Sequence, residues 1–494
     1  MKRFLTVLLA VLVLALAGCG RRRLDTDALP PLETMGKKPD GSHYSGSDPI
    51  VYHQDKLSFG VDFTLYTDGR LVLSGGDITK SVVEETVYKD NASHITTVEL
   101  GSGVTQVCDK AFAKAETVTK LVVGDSVKAI GYSAFSDCAA LTQIQIGEGL
   151  QTIGDYAFSG CTALTDVELG KNVSNVGSYC FSGCTAMKNA ILGASIIQMG
   201  NCVFNDCSAL SSLRVACDVG ESALMDTTAL ESVVFEPSVK KIQNRAFSGC
   251  TGLKNISFAD GVTQIGDYAF SGCTELGSVT FPKSLQEVGR EAFAGCVKLD
   301  TISVHEEAKV CFGNSAFTGC TGLKDLTLSN GVAGIDQYCF SQCTGLISVK
   351  IGGNVQTMGE QVFAGCSALR TAHVDSSIGA ASFKDCTSLE KLTTGANTTF
   401  IGKEAFSGCT ALGDLIFAEG LENIEEKAFF GCCTTKKVVL PKTLKKIGTE
   451  AFHGTSSMND LHYRGSQSQW NKVERSSGWS RGAGMTYIEK YNVP

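Results

Sequence analysis

Cysteine and histidine are the residues here with the most chemistry to offer, and their spacing decides which chemistry. The 494-residue chain holds 21 Cys and seven His. A zinc centre needs Cys and His clustered at ligand spacing, and the sequence shows no such cluster. His305-Glu306 begins like the helix of a zinc protease, but the fifth residue of that motif is Lys309 rather than histidine. No glycine-rich phosphate loop stands after a strand. Carboxylates are scattered. These observations predict no catalysis, no metal and no cofactor.

Thirteen cysteines, from Cys138 to Cys432, recur at one place in a repeat, three residues after a column of phenylalanines. The column runs Phe112, Phe135, Phe158, Phe181, Phe204, then Leu224. It resumes as Phe247, Phe270, Phe293, Phe317, Phe340, Phe363, Phe383, Phe406, Phe429 and Phe452. The step is 23 residues except for 20 before Leu224 and Phe383 and 24 before Phe317, which makes sixteen units. Export would favour disulfides, yet cysteine also packs as a small hydrophobe. Ala115, Thr227 and Thr455 fill the same place, so the ladder predicts buried free thiols. Cys180, Cys202, Cys217, Cys311 and the Cys432-Cys433 pair are the candidates for exceptions.

The elements follow from one unit. Val167 and Leu169 alternate with Asp166 and Glu168, the period of a half-buried strand. Gly170-Lys171-Asn172 is turn chemistry. Gly177 to Gly183 is compact enough for a single helical or 3₁₀ turn. One such unit cannot bury its apolar residues, but stacked units can, with parallel strands pairing rung to rung.

The motif Ile-Gly-x-x-Ala-Phe-x-x-Cys-x-x-Leu, clearest at Ile153–Leu164 and Ile265–Cys273, resembles the BspA-like class of bacterial leucine-rich repeats. The resemblance covers about residues 95–465. It implies an α/β repeat fold: a right-handed, curved solenoid with a parallel sheet on one face and short helical or 3₁₀ turns elsewhere. It also implies surface proteins used for adhesion and protein binding.

The chain's start reads as an address. Lys2 and Arg3 precede an apolar run, Phe4 to Ala17, too short to span a bilayer. The run ends in Leu16-Ala17-Gly18-Cys19, which resembles a bacterial lipoprotein signal and implies cleavage before a lipidated Cys19. Expected boundaries are residues 1–18 signal, 19–58 lipidated cysteine and tether, and 59–94 N-terminal hairpin cap. The solenoid is expected over 95–465 and a C-terminal cap over 466–494. Removing Lys2 and Arg3 with the signal takes the formal net charge from −8 to −10. So acidic a chain, with no basic tract, is a poor match for nucleic acid.

Binding is then expected on the outward strand positions and at breaks in the repeat. Lys350, His373 and Lys391 make a positive stripe on an acidic chain, flanked by Asp325, Asp375 and Asp414. The shortened unit at Asp375–Gly379 lies beside it. Cys217–Ser222 and Glu306–Lys309 are the other irregular stretches. The leading expectation is a lipid-anchored surface protein that binds an extracellular protein, of host matrix or of another microbe's surface. The alternatives are a glycan binder, with Trp470 and Trp479 as platforms, and a spacer that presents nothing specific.

Overall fold

The computed structural model describes residues 51–53, 60–66, 68–79, 95–193, 195–328, 330–484 and 487–493. The expected signal, Cys19 and most of the tether lie outside the described residues. The chain divides into two compact units, one ending at Leu230 and the next beginning at Glu231.

The first unit opens with antiparallel strands. Asp62–Tyr66 and Arg70–Ser74 pair across Asp68-Gly69. The Asp68 carboxylate accepts the Arg70 amide at 3.1 Å, and Gly69 takes φ +88°, as a tight hairpin requires. Arg70–Ser74 then pairs in parallel with Thr97–Leu100, so the hairpin closes the first rung. Val51–His53, expected in the tether, instead pairs antiparallel with Asp62–Tyr66; Val-Tyr is strand-forming chemistry.

Each rung adds one longer strand in register. Thr97 pairs with Lys120 and Lys120 with Gln143, each one repeat on. Asp166–Glu168 pairs with Asn189–Ile191. Val167 and Leu169 are buried while Asp166 and Glu168 are exposed, as the alternation predicts. A second parallel ladder lies elsewhere on the coil. Its strands are two residues long, Gln106–Val107, Ala129–Ile130, Thr152–Ile153 and Asn175–Val176. The expected parallel sheet is thus present, and this second ladder adds to it. Strands this short leave no periodic signature.

The segment around each phenylalanine is a tight turn without a helix, which corrects the expected helical or 3₁₀ turn. In every one of the sixteen units the residue two before the column residue has φ between +50 and +59°, and the residue two after has φ between +58 and +79°. None of the first set is glycine: it begins Lys110, Ser133, Tyr156, Tyr179. Left-handed conformation costs such residues on the order of 1 kcal/mol each. The return is hydrogen bonding. Tyr156, Phe158 and Gly160 donate their amides to Ser178, Cys180 and Ser182 of the next rung at 2.8–2.9 Å. The intervening Ala157, Ser159 and Cys161 amides bond within the turn at 3.1–3.3 Å. Alternate donors therefore all face one way along the stack.

In the second unit the longer strands pair at Asn255–Ser257 with Ser278–Phe281, and at Asp325–Leu328 with Ser348–Ile351 and then Thr371–Val374 and Lys391–Thr394. Beside the long unit, Val310–Phe312 pairs with Val332–Ile335 through a register shift between Val310 and Cys311. In the shortened unit only Ile378 remains of the second ladder, bridging Ile401. The last rungs are Lys437–Leu440, Asp460–Tyr463 and Lys490–Tyr491.

The core is the phenylalanine column. Phe112 and Phe135 stack at 5.0 Å with 2° between ring planes, and Phe317 and Phe340 at 5.1 Å and 3°. Such stacked pairs add about 0.5–1.5 kcal/mol each beyond burial. The column ends on Trp479, edge-on to Phe452 at 6.0 Å. The Phe452 amide donates to the Trp479 carbonyl at 2.8 Å. A one-turn helix, α1 (Gln467–Trp470), stands here with a capping box between Ser466 and Gln469.

The thiols are more than filler. Cys138 Sγ donates to the Phe112 carbonyl of the preceding rung at 3.2 Å, and Cys320 to Phe293 at 3.3 Å. Thr227 makes the same bond to Phe204 at 3.2 Å. Ala115 has no preceding column phenylalanine to serve. Every described cysteine is a thiol rather than half of a disulfide.

Candidate binding face and C-terminal cluster

The outward strand positions of the second unit form two columns. One holds Asp325, Ser348, Thr371 and Lys391 in register; the other holds Thr327, Lys350, His373 and Thr393. Lys350 and His373 are therefore direct neighbours on adjacent strands, about 4.8 Å apart by rung spacing. Lys391 stands in the other column, beside Thr371. The expected stripe is a diagonal that two columns share.

The six candidates separate by how they are engaged. The Asp325 carboxylate accepts the Ser348 hydroxyl. Asp375 accepts the Asn397 amide and its side-chain Nδ2, both at 3.0 Å. Asp414 accepts the Lys437 amide at 3.0 Å. These three carboxylates bind neighbouring rungs, and Asp125 does likewise for the Glu148 amide in the first unit. Lys350, His373 and Lys391 make no side-chain hydrogen bond or ion pair among the described residues. Lys350 and Lys391 are exposed and His373 half-buried.

The 24-residue unit forms a hollow of about 540 Å³ lined in part by Asp260, Lys283, His305, Glu307 and Lys309. Lys283 pairs with Glu307 across it and holds the Glu307 carboxyl below its ordinary range by a hydrogen bond. Both are solvated, so this is weak surface electrostatics.

The aromatic surface lies where sequence reasoning did not look. Tyr156 and Tyr179 stack at 4.7 Å and 4°, and Tyr132 meets Tyr156 at 5.7 Å and 65°. They stand two or three residues before their column phenylalanines, a recurrence visible in the repeat but off the strand face. Trp470 behaves as core, and Trp479 is half-buried. Trp470 is buried against Tyr463 at 5.3 Å and under the Arg475 guanidinium at 4.7 Å.

Gly478-Trp479-Ser480-Arg481-Gly482 has the spacing of a hydrolase nucleophile elbow, but it lies in turns, separated from the two-residue strand Glu474–Arg475 and followed by no helix among the described residues, and Ser480 is buried. The structural context that would make the motif catalytic is missing.

A second grouping was hidden by linear spacing. Asp460 and His462 share the last full strand, and Glu489 comes from the rung after it; their ligand-type atoms all lie within 4.8 Å of one another. Lys437 Nζ stands 3.2 Å from Asp460 Oδ2. Outward positions two residues apart on one strand, completed by a residue 27 positions later, form no recognisable linear motif.

Comparison with known proteins agrees with this architecture. The model of the BspA type leucine rich repeat region matches residues 82–211, 217–310, 241–370 and 376–473. The sequence matches no curated protein. A solved leucine-rich repeat protein from Bacteroides ovatus is 20% identical, over 90% of this chain and 100% of that one, with a TM-score of 0.51. A leucine rich cell surface protein from Faecalibacterium prausnitzii is 22% identical over 88% of this chain and 100% of that one, at a TM-score of 0.35. The pneumococcal vaccine antigen PcpA is 16% identical over 70% and 93%, at 0.40. With family matches spanning most of its length on a ladder of phenylalanine turns, the chain belongs to the BspA-type leucine-rich-repeat family.

Proposed function

We propose that this chain is a bacterial surface lipoprotein, held by a lipidated Cys19, that binds an extracellular protein of acidic character through the diagonal of Lys350, His373 and Lys391. The observation that carries the reading is the contrast in engagement: the neighbouring carboxylates are tied into the ladder, while the three basic groups face solvent without partners among the described residues. Repeat solenoids of this kind are binding scaffolds, and membership of the family supports a protein-interaction role. No helix among the described residues is long and apolar enough to cross a membrane, so attachment rests on the lipid signal.

The test is charge reversal. The full chain and its K350E/K391E variant are probed on arrays of matrix proteins and glycans, with circular dichroism to confirm folding. A unit charge about 4 Å from its partner in water is worth about 1 kcal/mol. Reversing two lysines changes four such units, so affinity falls roughly a hundred- to a thousandfold at low salt and less at high salt. Unchanged binding by a folded variant refutes the site.

The stacked tyrosines favour one second reading, a glycan platform at Tyr132, Tyr156 and Tyr179. It predicts binding to sugars that Y156A/Y179A abolishes and K350E/K391E leaves intact.

A further inference from the structure

We propose that Asp460, His462 and Glu489 form a site for a divalent transition-metal cation of the zinc or manganese kind. His462 occupies an outward strand position, equivalent to that of exposed Lys350, yet it is 5% exposed. Its Nε2 and the Asp460 Oδ1 are both buried without a hydrogen-bond partner, although they are in close contact. Glu489 Oε2 lies 3.9 Å from the same Nε2. A protonated imidazole paired with Asp460 would spend its N–H on that carboxylate as a hydrogen bond. Here the two atoms converge without one, the arrangement of two ligands facing a shared point. Lys437 engages only Asp460 Oδ2 and leaves Oδ1 for the cation.

The backbone holds the donors in place. His462 pairs in register with Lys490, and the Glu489 amide donates to the Leu461 carbonyl at 2.8 Å. Metal bonds of about 2.1 Å in tetrahedral geometry put ligand atoms roughly 3.4 Å apart, so Glu489 Oε2 has about half an ångström to close on Nε2, while Asp460 Oδ1, which is nearer than that, draws back to admit the ion. Calcium and magnesium prefer all-oxygen sites; one imidazole nitrogen among carboxylates selects first-row transition ions. Three protein ligands leave a position for water. The bound ion would clasp the end of the chain to the last full strand.

The full chain is stripped with chelator and titrated with zinc and manganese by calorimetry, and with cobalt followed by absorption. Cobalt separates this site from the cysteines, because a thiolate ligand gives an intense near-ultraviolet charge-transfer band and an imidazole–carboxylate site gives only weak visible bands. One equivalent is expected without the thiolate band. E489Q, which changes a partly exposed side chain and keeps its shape, weakens that equivalent at least about tenfold, and H462Q abolishes it if the variant folds. Zinc raises the melting temperature of the parent and not of E489Q. The proposal is overturned if the parent binds cobalt only with the thiolate band or not at all, or if E489Q binds with unchanged affinity and spectrum.

Discussion

Raising the pH from 7 to 9 destabilises this protein's second unit through its buried thiols. Burial pushes Cys296 and Cys366 up to about 12. Burial likewise holds Cys273, Cys320, Cys339, Cys343, Cys386 and Cys409 well above the ordinary thiol range, and raises Cys432 further. In the unfolded chain the same thiols titrate near 8.5. Below that pH both states keep their protons and stability does not change on this account. Above it the unfolded state sheds protons that the folded state retains, so stability falls as pH rises toward the folded values. At pH 9 each thiol contributes a loss of about 0.8 kcal/mol. Nine together give about 7 kcal/mol, against a typical domain stability of roughly 5–15 kcal/mol. The assay is urea unfolding in oxygen-free reducing buffer at pH 7, 8 and 9, read by fluorescence of Trp470 and Trp479 at the end of this unit. At a slope of about 3 kcal/mol per molar the midpoint drops by about 2 M urea between pH 7 and 9. A midpoint that stays level over that range refutes both the burial of the ladder and the linkage built on it.

Three further outcomes follow from the same packing. Phe340 sits fully buried between Phe317 and Phe363, at 5.1 and 5.5 Å, so F340A lowers stability by about 3–5 kcal/mol and F340L by less, measured by urea unfolding. C320A removes the donor to the Phe293 carbonyl along with buried volume and costs about 1–2 kcal/mol; C320T costs less, because Thr227 already serves in that role. Equal losses would argue against the thiol as a donor. Alkylation followed by mass spectrometry labels exposed Cys311 in the native state, faster at pH 9 than at pH 7 because the thiolate is the nucleophile, and more slowly than a free thiol because burial and then Asp336 and Glu287 raise its thiol, whereas Cys296 and Cys366 react only in denaturant.

The repeat, the phenylalanine column and the inward strand positions were legible because one period carries them all. Val167 and Leu169 announce their burial by alternating with Asp166 and Glu168. The turn around Phe158 was not legible, because its left-handed residue is Tyr156 here and Lys110, Glu291 or Ala381 elsewhere. Glycine marks only the second left-handed position of that turn, Gly160, and never the first, whose conformation inter-rung hydrogen bonds impose. The cysteine position read as small and apolar, while its hydrogen bond to the preceding rung depends on a contact 26 residues away. On the candidate face, residue type gave charge but not engagement: Asp375 and Lys350 looked equally available until Asn397 was seen to hold the carboxylate. The C-terminal cluster escaped for the same reason, since only the pairing of the last strands brings Glu489 to His462.

The one-way donors of the phenylalanine turns give each stack two unlike ends. At the far end of the second unit the Phe452 and Gly454 amides still face outward, and the Trp479 and Arg481 carbonyls meet them at 2.8 and 3.3 Å. The terminal segment is thus a stopper on a growing edge. Deleting it would bare a row of unpaired amides whose natural complement is the carbonyl row of another molecule, a head-to-tail contact that does not close on itself. In a protein built from self-templating rungs, truncation of this segment is expected to show first as fibres rather than as loss of folding.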